Sequence, residues 1–141
     1  MRIQMQIAKK ETVSVRGASE VVSVRHAVRR WAVDAGFSLV EQTKIVTAAS
    51  ELARNMVDYG GGGTMTVEAI DDGIRRGLRL IFEDQGPGIA DIDSALRDGF
   101  TTGGGMGLGL GGARRLSNEF DLRSVVGEGT RVAITRWKGS S

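Results

Sequence analysis

The stretch SLVEQTKIVTAASELARNMVDYGGGG, residues 38–63, decides the fold. Ser38 followed three residues later by Glu41 forms a capping box, in which hydroxyl and carboxylate each satisfy a backbone N–H that lacks a partner inside the helix. Ile45, Ala49, Leu52, Met56 and Tyr59 then recur at steps of four and three, an apolar stripe that needs a partner surface. Gly60 to Gly63 ends the helix, and together with Asp58 it reads as an unusually polar and loose terminus. Beside the stripe runs another, made of Lys44, Thr47, Glu51, Asn55 and Asp58, which sets Glu51 and Asn55 one turn apart on one face.

Upstream, Val21, Val24, Val28, Trp31 and Ala35 repeat at helical spacing, and Gly36 stands where a helix-ending glycine is expected, so Ala18 to Ala35 reads as a first helix. The opening segment alternates apolar and polar residues through Ile3, Met5 and Ile7, a strand that reaches Val13 and Val15. Downstream, Thr64 to Ile70 and Leu78 to Glu83 are strand-like runs joined by the turn-forming segment Asp71 to Gly77. Ile92 to Leu96 suits a short helix and Leu108 to Leu116 another, while Phe120 to Val126 and Thr130 to Trp137 make a hairpin across Gly127-Glu-Gly129. The main order β, α, α, β, β, α, β, β predicts an α+β two-layer sandwich, with helices on one face of a mixed, mostly antiparallel sheet.

At 141 residues the chain is sized for one domain, residues 1–141, and shows no internal repeat or linker. The net charge of +2 is too small for a nucleic-acid partner to be expected. The arginine doublets 29–30, 75–76 and 114–115 are spread out and read as solvated surface. Absence of cysteine removes disulfides, thiolate metal sites and cysteine nucleophiles, and a cytoplasmic location is expected. No signal peptide or membrane span is legible. The outlier is glycine: 21 residues, clustered at Gly60 to Gly63 and between Gly99 and Gly112. Clustering of so flexible a residue points to a site.

Three constellations carry chemistry. Asp84 closes the apolar run Leu78 to Phe82 and precedes Gln-Gly-Pro-Gly. A carboxylate there is partly buried and needs a donor, either an exocyclic amine of a ligand or, more plainly, the amides of its own turn. Thr101 to Leu110 is a glycine run opening into a helix, whose successive N–H groups can cradle phosphate, although a flexible surface loop accounts for it equally well. It matches neither a P-loop nor a dinucleotide fingerprint. Glu51 and Asn55 are a solvent-facing pair when taken alone. Beside a triphosphate, Asn55 could give Mg²⁺ its one protein oxygen and Glu51 could take a proton from an incoming hydroxyl or water.

Together and in this order, the three resemble the nucleotide signature of the GHKL superfamily, which includes the gyrase and Hsp90 ATPase domains, histidine kinase catalytic domains and anti-sigma-factor serine kinases. Ser50-Glu-Leu-Ala-Arg-Asn55, Glu83-Asp-Gln-Gly-Pro-Gly-Ile89, Asp98-Gly-Phe-Thr-Thr-Gly103 and Gly127-Glu-Gly-Thr130 are most similar to the serine/threonine kinases of the stressosome pathway. The resemblance implies ATP and Mg²⁺ as cofactors, with Asn55 on the metal, Glu51 as general base and Asp84 on the adenine amine. It also implies that Gly86 and Gly88 shape the adenine pocket and that Thr130 closes its side. Gly103, Gly104, Gly105, Met106, Gly107, Leu108 and Gly109 would form the lid and the phosphate contacts. The implied partners are a STAS-domain antagonist protein, phosphorylated on a serine or threonine, and a PP2C-type phosphatase that the kinase activates. The alternative is an anti-sigma factor that sequesters a sigma factor; the oligomeric state stays open. A histidine kinase is disfavoured, because no helix pair carrying a phosphoacceptor histidine is present, and His26 lies in the first helix away from the motifs.

Overall fold

The computed structural model describes residues 5–96 and 109–140. Its elements run β1 (Gln6–Val15), α1 (Ala18–Asp34), α2 (Leu39–Gly60), β2 (Gly63–Asp71), β3 (Arg76–Asp84), α3 (Ile92–Ala95), α4 (Gly109–Arg115), β4 (Glu119–Val125) and β5 (Gly129–Trp137). The strands form one sheet in the order β1-β2-β3-β5-β4. All four pairings are antiparallel, so the mostly antiparallel sheet expected from the sequence contains no parallel pair among the described residues. The last hairpin is inserted with β5 inward, so β5 rather than β4 pairs with β3. Among the described residues no helix is long and apolar enough to cross a membrane.

Both long helices have the ends that their sequences encode. Ser38 caps α2: its hydroxyl accepts the Glu41 N–H at 3.1 Å, and the Glu41 carboxylate accepts the Ser38 N–H at 2.8 Å. The α1 terminus closes with the Gly36 N–H on Val33 and the Phe37 N–H on Ala32, the pattern of a Schellman end. Caps of this kind contribute about 1 kcal/mol each, whereas burying a side chain such as Ile45 or Leu52 contributes roughly 1.5–3 kcal/mol. Packing therefore holds α2 in place. Ile45, Ala49, Leu52 and Met56 are all at most 3 % exposed, while Tyr59, the last residue of the stripe, stands 40 % exposed.

The register aligns side chains into rows across the sheet on the face that meets the helices. One row is Val67, Leu80 and Ile134; the next is Val13, Met65, Phe82, Val132 and Leu122. Two residues further along each strand the same face carries Val15, Gly63, Asp84, Thr130 and Ser124. Period-two alternation thus points Asp84, Thr130 and Ser124 the same way as the core. The apolar layer turns polar at this one end of the sheet.

The opening strand departs from its expected pattern. Met5 and Ile7 are 43 % and 48 % exposed, and the pairing shifts register between Ile7 and Lys9. The bulge changes which parity faces inward, so Val13 and Val15, not Met5 and Ile7, carry the described strand's contribution to the core; Ile3 lies outside the described residues. The arginine doublets are largely engaged locally: Arg30 pairs with Glu11, Arg76 with Asp71, and Arg75 pairs with Asp72 while lying 4.0 Å over the Trp137 ring.

The tetraglycine is not the loose end it resembles in sequence. A Cβ on Gly60 would sit 2.6 Å from the Asp84 carboxyl carbon, one on Gly86 would sit 2.7 Å from the Gly60 Cα, and one on Gly63 would strike the Glu83 carbonyl. These glycines let the last turn of α2 rest against the end of β3. Helix propensity alone would make Gly60→Ala stabilising by about 1 kcal/mol. The packing reverses that sign: Gly60→Ala should destabilise by ~1–3 kcal/mol, the usual range for overpacking, as measured by urea unfolding.

Candidate functional site

The polar end of the sheet, the last turns of α2 and the segment after β3 enclose a cavity of about 430 Å³. That lies within the roughly 300–1,000 Å³ typical of small-molecule sites. From α2 come Leu52, Asn55, Met56, Tyr59 and Gly60; from the sheet Phe82, Asp84, Thr130 and Val132; from the segment after β3 Pro87 to Asp91, with Ala95 and Leu110 beyond. Most of these side chains are apolar. The polar groups are few, the Asn55 amide, the Asp84 carboxylate and the Thr130 hydroxyl among them.

Asp84 is half-buried at the end of β3. Desolvation pushes its carboxyl above the ordinary aspartate range, and the N–H groups of Gly86 and Thr130 oppose the rise. The Gly86 N–H donates to Oδ1 at 2.9 Å, so the turn-capping role read as the plainer alternative is real. It does not exclude a ligand role, because the same side chain lines the cavity. The turn that follows is clamped to the β4–β5 hairpin: the Gly127 N–H donates to the Pro87 carbonyl at 2.8 Å and the Ile89 N–H to the Ser124 hydroxyl at 2.8 Å. Gly88 adopts φ +78°, and a Cβ there would collide with the Val125 carbonyl, so only glycine allows the turn to lie this close.

Asn55, Asp84, Gly88 and Thr130, four of the residues singled out in the sequence, border one cavity. Gly86 does not line it; it permits the contact between the turn and Gly60. Glu51 is one turn before Asn55 on α2, outside the cavity wall, with its carboxylate 3.6 Å from the Arg54 guanidinium and its side chain 30 % exposed. Gly109 begins α4, and Gly103, Gly104, Gly105, Met106, Gly107 and Leu108 lie outside the described residues. His26 is exposed on α1.

Several wall residues were not legible as such. Leu52 and Met56 look like ordinary core positions of an amphipathic helix, and nothing in their spacing marks the side that meets the cavity. Pro87 and Ile89 belong to the turn already singled out and could have been included with it. Ala90, Asp91 and Ala95 carry no local signal. Among the described residues no group of three His, Cys, Asp or Glu side chains could hold a metal ion by itself. A cation here would rest on a single side-chain oxygen such as that of Asn55 together with oxygens of a bound ligand and water, which is an arrangement magnesium accepts.

Residues 40–139 match the family described as histidine kinase-, DNA gyrase B-, and HSP90-like ATPase. The chain is 48% identical over 118 residues to the serine/threonine-protein kinase RsbT of Bacillus subtilis (strain 168), covering 84% of this chain and 89% of that one. It is 30% identical over 122 residues to an anti-sigma F factor of Thermoanaerobacter sp. (strain X514), covering 82% and 84%. Two crystal structures share the fold. The RsbU and RsbW domains of a Mycobacterium tuberculosis protein superpose with a TM-score of 0.65 at 20% identity, over 92% of this chain and 32% of that longer one. The SiaB–SiaC complex of Pseudomonas aeruginosa gives 0.54 at 14% identity, over 93% and 90%. With residues 40–139 matched by the family's model and nearly half of the aligned positions identical to those of a serine/threonine-protein kinase, the chain belongs to the histidine kinase-, DNA gyrase B- and HSP90-like ATPase family and is a protein serine/threonine kinase within it.

Proposed function

We propose that the cavity binds the adenine of ATP, and that the chain transfers the γ-phosphate to a serine or threonine of a STAS-domain partner. The observation that carries this reading is the convergence of Asn55 and Asp84, from α2 and β3, on one mostly apolar cavity. A desolvated carboxylate among apolar walls fits an exocyclic amine on a flat ring, since a charge-assisted hydrogen bond offsets the cost of its burial. Thr130 borders the same cavity from β5, and Gly86 and Gly88 let the turn lie close to α2 and to the β4–β5 hairpin beside it. Asn55 is placed to supply the protein oxygen of a Mg²⁺ ion. Bound there, ATP with its metal supplies the transferable phosphoryl group and the neutralisation of its charge.

Glu51 lies one turn before Asn55 on α2, off the cavity wall and partly exposed. That is the position required of a base that receives its substrate from another protein: beyond the purine, beside the metal ligand, reachable from outside. Glu51 takes the proton of the acceptor hydroxyl as that oxygen bonds to the γ-phosphorus and ADP leaves. Its pairing with Arg54 is exposed and weak, so it yields readily to an arriving hydroxyl. The glycine run from Gly103 to Gly109 is the phosphate lid in this reading. By the same likeness the chain acts as a partner switch in the cytoplasm, released from its STAS partner by phosphorylation and then free to activate a PP2C-type phosphatase.

The 30% identity to an anti-sigma F factor favours a second reading, in which the same nucleotide-bound surface sequesters a sigma factor. Size-exclusion chromatography with the genomic neighbours separates the two: the kinase reading requires a complex with the STAS protein that dissociates on adding ATP and Mg²⁺, the other a stable complex with a sigma factor.

Two substitutions divide binding from chemistry. Asp84→Asn should abolish ATP binding in calorimetry, because the amide presents a donor to the adenine amine. Without nucleotide the same variant should be as stable as the parent or more so at neutral pH. A carboxyl with a raised folded-state pKa weakens the fold when ionised; that penalty is complete above the raised value and disappears as pH falls through it to below the ordinary range. The stability difference between variant and parent should therefore close at acid pH. Glu51→Ala should bind ATP with an affinity within about threefold of the parent and lose transfer to the STAS protein by at least about 100-fold in labelled-phosphate assays.

A further inference from the structure

Ser124 belongs to the polar row but not to the cavity wall. It lies on β4 directly opposite Thr130, half-buried on the helix-facing side. Its hydroxyl oxygen accepts the Ile89 N–H at 2.8 Å, stands 2.8 Å from Thr130 Oγ1 and lies 3.2 Å from the Gly129 carbonyl oxygen. Ile89 ends the turn that covers one side of the cavity, and Thr130 forms another side. One hydroxyl thus joins two walls supplied by separate parts of the chain.

Proton counting gives this contact a consequence. A serine hydroxyl has one proton and can also accept. The Ile89 N–H already occupies it as an acceptor, and its own proton goes either to Thr130 Oγ1 or to the longer contact at Gly129. If it goes to Thr130, the threonine proton is left free to point into the cavity as a donor. If it goes to Gly129, Thr130 must donate back to Ser124 and shows the cavity lone pairs only. A purine whose exocyclic amine meets Asp84 presents an accepting ring nitrogen next to that amine, and the first arrangement matches it.

Resting on the adenine reading of the cavity, the geometry points to Ser124 as a positioning residue for nucleotide selection. It fastens the Gln-Gly-Pro-Gly turn to β4 and sets the Thr130 hydroxyl as a donor toward the ring. Preference for a 6-amino purine over a 6-oxo purine, which carries a proton on that ring nitrogen, then depends partly on a side chain that never touches the base.

The test is displacement of a labelled ATP analogue by ATP and by GTP, with thermal unfolding in parallel, for the parent, Ser124→Ala, Ser124→Thr and Asp84→Asn. Ser124→Ala should weaken ATP binding about tenfold, the scale of one lost hydrogen bond, and reduce the preference for ATP over GTP by a similar factor. Ser124→Thr, which keeps the hydroxyl, should restore both. Equal losses for the two nucleotides, or no rescue by threonine, would reduce Ser124 to a packing role and overturn the inference. So would parent-like affinity and selectivity in Ser124→Ala while Asp84→Asn fails to bind. Normal ATP binding by Asp84→Asn would instead remove the adenine reading on which the inference stands.

Discussion

The close seating of the last turn of α2 on the end of β3 is the constraint from which the site follows. Gly60 packs against the Asp84 carboxyl and against Gly86, leaving no room for a side chain on either glycine. Burial of the α2 stripe supplies the force that presses helix to sheet, but that force is non-directional and would tolerate sliding by part of a turn. Backbone contact between glycines does not. It fixes the height of the helix over the sheet, and so brings Asn55, one and a half turns from Gly60, to the same opening as Asp84.

The sheet shows how a binding site is made from a core by changing one row. Along β3, β5 and β4 the helix-facing positions read Leu80, Ile134 and Phe120, then Phe82, Val132 and Leu122, then Asp84, Thr130 and Ser124. The first two rows close the interior. The third faces the same way, with Asp84 and Thr130 bordering the cavity, and its polar groups are satisfied by turns and by one another. Asp84 is held under desolvation that opposes its charge, an unfavourable arrangement for folding and a useful one for recognising a donor.

Much of this was legible in the sequence, because local chemistry and long-range packing agree there. The capping box at Ser38 and Glu41, the α2 stripe and the two hairpins are encoded by neighbouring residues and appear where they were expected. Asp84 could be found because a carboxylate ending an apolar strand is expensive without a purpose. What stayed hidden depends on residues distant along the chain. The placement of β5 between β3 and β4 has no local signature, and neither does the bulge that turns Ile7 outward. The tetraglycine misled for a related reason: sequence shows that glycine is permissive, but only the partner surface shows whether that freedom is used for motion or for contact. Glu51 illustrates a finer limit. Helical spacing set it beside Asn55 correctly, yet could not tell which of the two borders the cavity.

Among the described residues β1 and β4 are the outer strands, each with one margin that no neighbouring strand covers. On β1 the irregularity near Ile7 is followed directly by Lys9, Lys10 and Glu11, and β4 shows Glu119, Asp121 and Arg123 at its exposed positions. Charge and distortion of this kind make a margin a poor template for another molecule's strand. Assembly by extending the sheet from molecule to molecule is thereby discouraged.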